Sequence, residues 1–185
     1  MPWLTALENL RLVCDDRGRA LAALEAVGLS AELGKYPRQL SGGMQRRVAL
    51  ARAMLLKPRL LLMDEPFVSL DRATAASCRA TLLNYWREQG VAVIFVTHDL
   101  DEAVALADRV LVLAGRPASV LHELKVDLPR PRDLLSSSVV GVVGELAERL
   151  KVDRSRRSGV TRYCLRDCTV VGNASKLLQT ITSRT

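Results

Sequence analysis

Two stretches of this chain carry residues whose types and spacing could do chemistry. The first is Leu40-Ser41-Gly42-Gly43-Met44-Gln45-Arg46-Arg47. The second is Leu60-Leu61-Leu62-Met63-Asp64-Glu65-Pro66. A Ser-Gly-Gly turn that opens a helix is an anion site. The first helix amides have no intrahelical partner, and the helix dipole adds partial positive charge there. The glycines let a phosphate approach the backbone, the Ser41 hydroxyl can donate to it, and Arg46 and Arg47 add charge. An ordinary capped turn is the plainer reading of Ser-Gly-Gly alone, and Leu40 before it and Met44-Gln45 after it weigh against that. An apolar strand ending in Asp64-Glu65 offers two carboxylates at the strand end where open α/β sheets bind ligands. Asp64 can hold Mg²⁺ through water. Glu65 can orient or deprotonate the water that attacks a γ-phosphate. His98 follows the apolar run Val91 to Val96, at the end of the next expected strand, where it can hydrogen-bond a γ-phosphate and sense its loss. Asp71, in Ser69-Leu70-Asp71, is at least a helix cap and can also contact a partner subunit near the nucleotide.

The elements that must position these residues follow from periodicity and punctuation. Residues 1–35 read as helical, with Ala20, Leu21, Leu24 and Val27 at helical spacing and Gly28 as a stop. Ser41 caps a helix that ends before Pro58, with Met44, Val48, Ala51 and Leu55 inward. Leu60 to Met63 reads as a strand buried on both faces. Asp71 caps a helix with Ala75, Cys78, Leu82 and Trp86 inward, closed by Gly90. Val91 to Val96, Arg109 to Leu113 and Ser119 to Leu124 read as further strands. Asp99 and Glu102 form a capping box for a helix to about Ala107, and Leu134 to Leu150 contains another helix. The alternation is an α/β pattern with a largely parallel sheet.

Composition sets the bounds. A chain of 185 residues supports one domain with a real core, and its aromatic content of 4% leaves that core to Leu, Val and Ala. No apolar run approaches the roughly 18 residues of a membrane helix. The first residues lack the basic and apolar segments of a secretion signal. Cys14 and Cys78 read as small apolar packers. Cys164 and Cys168 stand four apart with no histidine near them, a poor zinc pattern. Residues 149–185 hold 9 basic and 2 acidic residues, which account for the whole net charge of +7. That basic tail reads as a solvated end or as a contact for anionic lipid; with Tyr163 as its sole stacking side chain, nucleic acid is the weaker fit.

In this order and spacing, Leu40 to Gln45, Asp64-Glu65, Ser69-Leu70-Asp71 and His98 resemble the signature, Walker B, D-loop and H-loop of ATP-binding cassette (ABC) ATPases. The resemblance runs from residue 1 to about 132. Met1 to Asn9, Asp64-Glu65-Pro66-Phe67 and Val126-Asp127-Leu128-Pro129-Arg130-Pro131-Arg132 are similar to nitrate, sulfonate and taurine importer ATPases. It implies a P-loop NTPase fold with three parts. Residues 1–58 form a helical subdomain bearing the signature, 59–132 a partial ATPase core, and 133–185 a helix and basic tail. It also implies ATP and Mg²⁺ as cofactors, a second ABC ATPase subunit and a transmembrane permease as partners, and a cytoplasmic, membrane-peripheral location. A periplasmic or extracellular substrate-binding protein would be engaged indirectly. In the family each ATP lies between one subunit's Walker A loop and the other's signature, so Leu40, Ser41, Gly42, Gly43, Met44 and Gln45 would face the partner's nucleotide.

The chain departs from the family where Arg46 stands for glutamine. No Gly-x-x-x-x-Gly-Lys-Ser/Thr loop occurs in the 185 residues, and Gly34-Lys35 is followed by Tyr36. The expectation is an amino-terminally truncated cassette whose Walker A and Q-loop lie upstream of Met1. Two other readings stand beside an importer ATPase: a non-catalytic partner lending its signature in trans, and an ABC-type DNA-repair ATPase, whose long coiled-coil heptads are absent.

Overall fold

A computed structural model describes residues 1–114, 119–156 and 168–172. The chain divides into two compact units, Met1–Leu61 with Pro66–Val91, and Leu62–Glu65 with the residues from Ala92 onward.

The first unit is helical. Helix α1 spans Ala6–Arg11 and is opened by a capping box between Thr5 and Glu8. Asp16 caps α2, Arg17–Ala26, and Ser41 caps α3, Gly42–Leu55. Asp71 caps α4, Arg72–Gln89, which ends on Gly90 in the left-handed region at φ +61°, a conformation glycine adopts without penalty. The expected stripes turn inward in part, with Leu21, Met44, Leu55 and Trp86 only half-buried and Met54 buried in place of Leu55. Ala20, Leu24, Val27, Val48, Ala51, Ala75, Cys78 and Leu82 are buried, with Leu10 and Leu29 beside them. Thr81 Oγ1 donates to the Ala26 carbonyl at 2.9 Å, tying α4 to the end of α2.

Strand β1, Leu60–Asp64, leads from the first unit into the second. The second unit adds β2 (Ala92–Thr97), α5 (Leu100–Leu106), β3 (Arg109–Ala114), β4 (Ser119–Lys125), α6 (Ser137–Arg156) and β5 (Cys168–Gly172). The sheet order is β1-β2-β5-β3-β4. Strand β5 pairs antiparallel with both β2 and β3, so these two run in the same sense, as the α/β alternation predicts. The sequence reading placed no strand at 168–172. Val110, Val104, Val139 and Leu146 are fully buried. Arg132 draws the segment after β4 onto the end of α5. Its guanidinium donates to the carbonyls of Val104 at 2.7 Å and Ala107 at 2.5 Å, and to those of Val126 and Leu128 at 2.9 Å. Burial lowers its pKa to about 10, still cationic at neutral pH.

Two expectations are corrected. Leu60 to Met63 is a strand, but it is not buried on both faces. Leu61 is 4% exposed while Leu62 is 67% exposed, because side chains alternate along a strand and among the described residues only one face of β1 is covered. Asp99 caps α5 by accepting from the amides of Asp101 and Glu102. Glu102 does not complete a box, however. Its carboxylate is buried and accepts from Thr97 Oγ1 at 2.9 Å, which is stronger shelter than a solvent-facing cap.

Candidate functional site

The acids at the end of β1 and the histidine beyond β2 meet because their strands are neighbours in the sheet. The Glu65 amide donates to the Val96 carbonyl at 2.8 Å. Glu65 sits at φ +46°, a left-handed conformation that costs a non-glycine residue about 1 kcal/mol or more and persists only where the surroundings impose it. From this turn its side chain reaches His98, whose Nδ1 lies 2.8 Å from Oε1 and 2.8 Å from Oε2. An ionised carboxylate only accepts, so Nδ1 carries a proton there. The His98 side chain is half exposed. Asp64, the residue before Glu65, is exposed. One carboxylate base, one imidazole and one exposed carboxylate thus stand at adjacent strand ends. Among the described residues no group of three or more His, Cys, Asp or Glu side chains could cage a metal. Mg²⁺ is held through one or two carboxylates plus phosphate and water, so Asp64 alone is the right kind of donor for it.

The Ser41 turn has a different construction. Ser41 Oγ accepts from the Met44 amide at 3.2 Å, leaving the hydroxyl proton to donate outward. Gln45 Nε2 donates to the carbonyls of Pro37 at 3.0 Å and Leu40 at 3.2 Å, closing the turn from behind. The two glycines are not equivalent. A Cβ on Gly42 would meet only Arg46 Nη1, at 3.7 Å, so this position is open. A Cβ on Gly43 would lie 2.7 Å from Leu70 Cδ2 and 3.3 Å from the Ser69 carbonyl. The missing side chain at Gly43 therefore leaves room for the Ser69-Leu70 turn, itself strained at Ser69 with φ +65°. Leu40 is buried and Met44 half-buried, whereas Ser41, Gly42 and Gln45 are exposed.

Arg47 is also spent internally. Its Nη1 donates to the carbonyls of Val27 at 3.0 Å and Gly28 at 3.2 Å, satisfying the end of α2. Of the two arginines expected to add charge to the turn, Arg46 is the exposed one. Asp71 accepts from the Thr74 amide at 2.9 Å and from Thr74 Oγ1 at 2.6 Å, and these bonds hold its carboxyl below the usual range. Cys78 is buried, as its apolar reading requires, while Cys14 is partly exposed. The Cys164–Cys168 zinc pattern and the stacking side chain Tyr163 lie outside the described side chains, as does most of the basic tail.

Sequence reasoning missed Thr97, Arg132 and the packing role of Gly43. The Leu-Pro-Arg-Pro-Arg run at 128–132 was visible, but nothing in it names the four carbonyls that Arg132 holds.

Residues 1–68 match the ABC transporter family. The chain is 44% identical to the aliphatic sulfonates import ATP-binding protein SsuB 1 of Pseudomonas syringae pv. tomato, over 78% of this chain and 56% of that protein. It is 42% identical to the nitrate import ATP-binding protein NrtC of Synechococcus elongatus, over 73% of this chain and 22% of that protein. Among solved structures it is similar to the dimeric, post-hydrolysis ATP-binding cassette MJ0796 bound to ADP and Pi. The TM-score is 0.62 and the identity 34%, covering 70% of this chain and 60% of that one. The chain spans about 56% of the length of SsuB 1. Residues 1–68 thus carry an ABC transporter domain match, and the chain has the α/β fold of the ATP-binding cassettes it is similar to.

Proposed function

We propose that this chain belongs to the ATP-hydrolysing subunit of an importer for a small anion such as nitrate, a sulfonate or taurine. It would serve a membrane permease in partnership with a second ATPase subunit. The pairing of Glu65 with His98 at 2.8 Å, across neighbouring strand ends, carries the reading. Asp64 would hold Mg²⁺, which when bound neutralises phosphate charge. Glu65, fixed by its amide on Val96, would orient the attacking water and take its proton. His98, with Nδ1 held by Glu65, would turn Nε2 toward the γ-phosphate. The Ser41 hydroxyl and the first amides of α3 would bind the γ-phosphate of a nucleotide held by the partner subunit.

The 185 residues contain no Walker A loop. A second reading is that the chain completes a site on an intact partner, and the exposed Ser41 beside the open Gly42 favours it. Phosphoryl transfer depends on positioning and charge neutralisation, and Glu65 and His98 supply neither the phosphate cradle nor its lysine. Calorimetry with MgATP on the purified chain is expected to show no tight binding. Steady-state turnover at an ordinary transporter rate, abolished by Glu65→Gln, would overturn this. The trans role is tested by adding the chain to full-length Pseudomonas syringae SsuB 1 whose own signature serine has been replaced. Restored ATP turnover supports it, and no gain at any mixing ratio refutes it.

A further inference from the structure

We propose that Thr97 and Glu102 are a buried positioning pair that sets the placement of His98 against Glu65. The proposal rests on reading Glu65 and His98 as the hydrolytic pair, and it assigns two residues buried beside that pair.

Only Asn9, Thr97 and Glu102 are buried polar residues among the described residues, and two of the three sit around His98. Thr97 is 2% exposed and Glu102 is 7% exposed. Thr97 Oγ1 donates to Glu102 Oε2 at 2.9 Å and accepts from the Asp99 amide at 3.1 Å. Asp99 Oδ1 in turn accepts from the Asp101 amide at 2.9 Å and the Glu102 amide at 3.3 Å. The hydroxyl is thus used in both directions, and the circuit encloses the backbone on each side of His98. In a capping box, a glutamate three residues into a helix accepts from the cap's own amide. Here Thr97 has taken that amide, and the glutamate anchors the threonine instead.

The partner side is anchored independently. The Glu65 amide donates to the Val96 carbonyl, one residue before Thr97. Two successive residues of β2 therefore locate the two halves of the pair. Val96 holds Glu65 through its main chain, and Thr97 holds the His98 turn through its side chain. Half-exposed side chains such as His98 have rotamer freedom that a fixed backbone restricts.

The test is side-chain ¹H–¹⁵N NMR of the full chain without nucleotide, with His98 told from His122 by His98→Gln. Wild type is expected to show a single His98 form with Nδ1–H engaged, and Glu65→Ala to lose that signal. Thr97→Val and Glu102→Met are expected to lose it as Glu65→Ala does, and Thr97→Ser to retain it. Each single variant removes one side of the buried Thr97–Glu102 bond and can unfold. The double variant Thr97→Val/Glu102→Met removes the Thr97–Glu102 bond from both sides with apolar groups of similar size, which is better tolerated than removing one side. It is expected to fold and still lose the Nδ1–H signal. A folded double variant with the wild-type His98 signal overturns the proposal. So does a double variant that cannot fold, since the pair would then be a general requirement of the core. Because no nucleotide is used, this result and the ATP measurements stand or fall separately.

Discussion

The Ser41 turn and the Glu65–His98 pair are both polar sites beside an apolar core, yet they are built in opposite ways. The turn is local. Its cap, its closing glutamine and its amides come from residues 37–45, and most of its polar capacity is consumed within the fold. Gly43 is filled by Leu70, Gln45 by Pro37 and Leu40, and Arg47 by Val27 and Gly28. What remains outward is the Ser41 hydroxyl, the open Gly42 and Arg46. The pair is non-local. It joins residues 33 apart in the chain, with Glu65 anchored through its amide to Val96 of β2. A site with its own cap can act on a ligand held elsewhere. A site made only of a base and its orienting imidazole needs a phosphate brought to it.

This contrast is broken or confirmed most sharply in mixed dimers with an intact ATPase subunit whose own signature is disabled. Gly42→Asp puts a carboxylate where the γ-phosphate would lie and is expected to lower turnover by about 10²-fold or more, the scale of losing preorganised charge stabilisation. The same substitution suits the helix dipole, so the fold is expected to hold. Glu65→Gln in this chain is expected to leave that turnover unchanged, because on the proposed reading the attacked phosphate would sit on the partner's cradle. Steady-state phosphate release from the two mixtures decides the matter. Equal losses would mean that the two sites of this chain act on one nucleotide, and the contrast would be wrong.

A smaller effect separates the two glycines. Gly43→Ala drives a methyl to 2.7 Å from Leu70 Cδ2 and 3.3 Å from the Ser69 carbonyl. Leu70 must turn away, and a strained turn must give with it. The expected loss is about 1–3 kcal/mol, the range for overpacking. Gly42→Ala meets open space, and in a helix it is expected to be neutral or to stabilise by up to about 1 kcal/mol through the unfolded chain. Urea unfolding of the two variants is the measurement. Equal stabilities would show that Gly43 is kept for ligand approach after all.

These glycines also show where sequence reading stops. Ser41, Asp71 and Gly90 mark helix ends by chemistry confined to three or four residues, so α3 and α4 were legible nearly to their boundaries. The strand-end placement of Glu65 and His98 was legible too, since apolar runs ending in polar residues locate a sheet's functional edge. Which atom each polar residue would meet was not. Gly43 looks like half of a phosphate turn until Leu70, 27 residues on, is packed against it. Arg47 looks like a free cation until the carbonyls at the end of α2 are placed beside it. Glu102 satisfies the spacing of a capping box and then forms a different bond, because Thr97 already occupies the amide. In each case residue type was read correctly, while the partner was settled by tertiary packing.

The smallest expected effect concerns Asp71 and asks how much of the D-loop resemblance is structure alone. Its bonds to Thr74 lower its carboxyl pKa from the ordinary 3.8. A carboxylate favoured by the folded state stabilises it above the unfolded pKa, and that contribution is lost as the pH falls through the lower, folded value. Asparagine caps helices about as well but does not titrate. Asp71→Asn is therefore expected to match wild type near neutral pH and to flatten the loss of melting temperature below about pH 4. Thermal melts of both proteins between about pH 6 and about pH 2 would reveal the divergence. In the mixed dimer the variant is expected to keep its turnover if the carboxylate only caps α4. A loss of turnover at neutral pH, with the melting temperature unmoved, would place the charge itself at the partner's surface and make Asp71 a fourth outward group beside Ser41, Gly42 and Arg46.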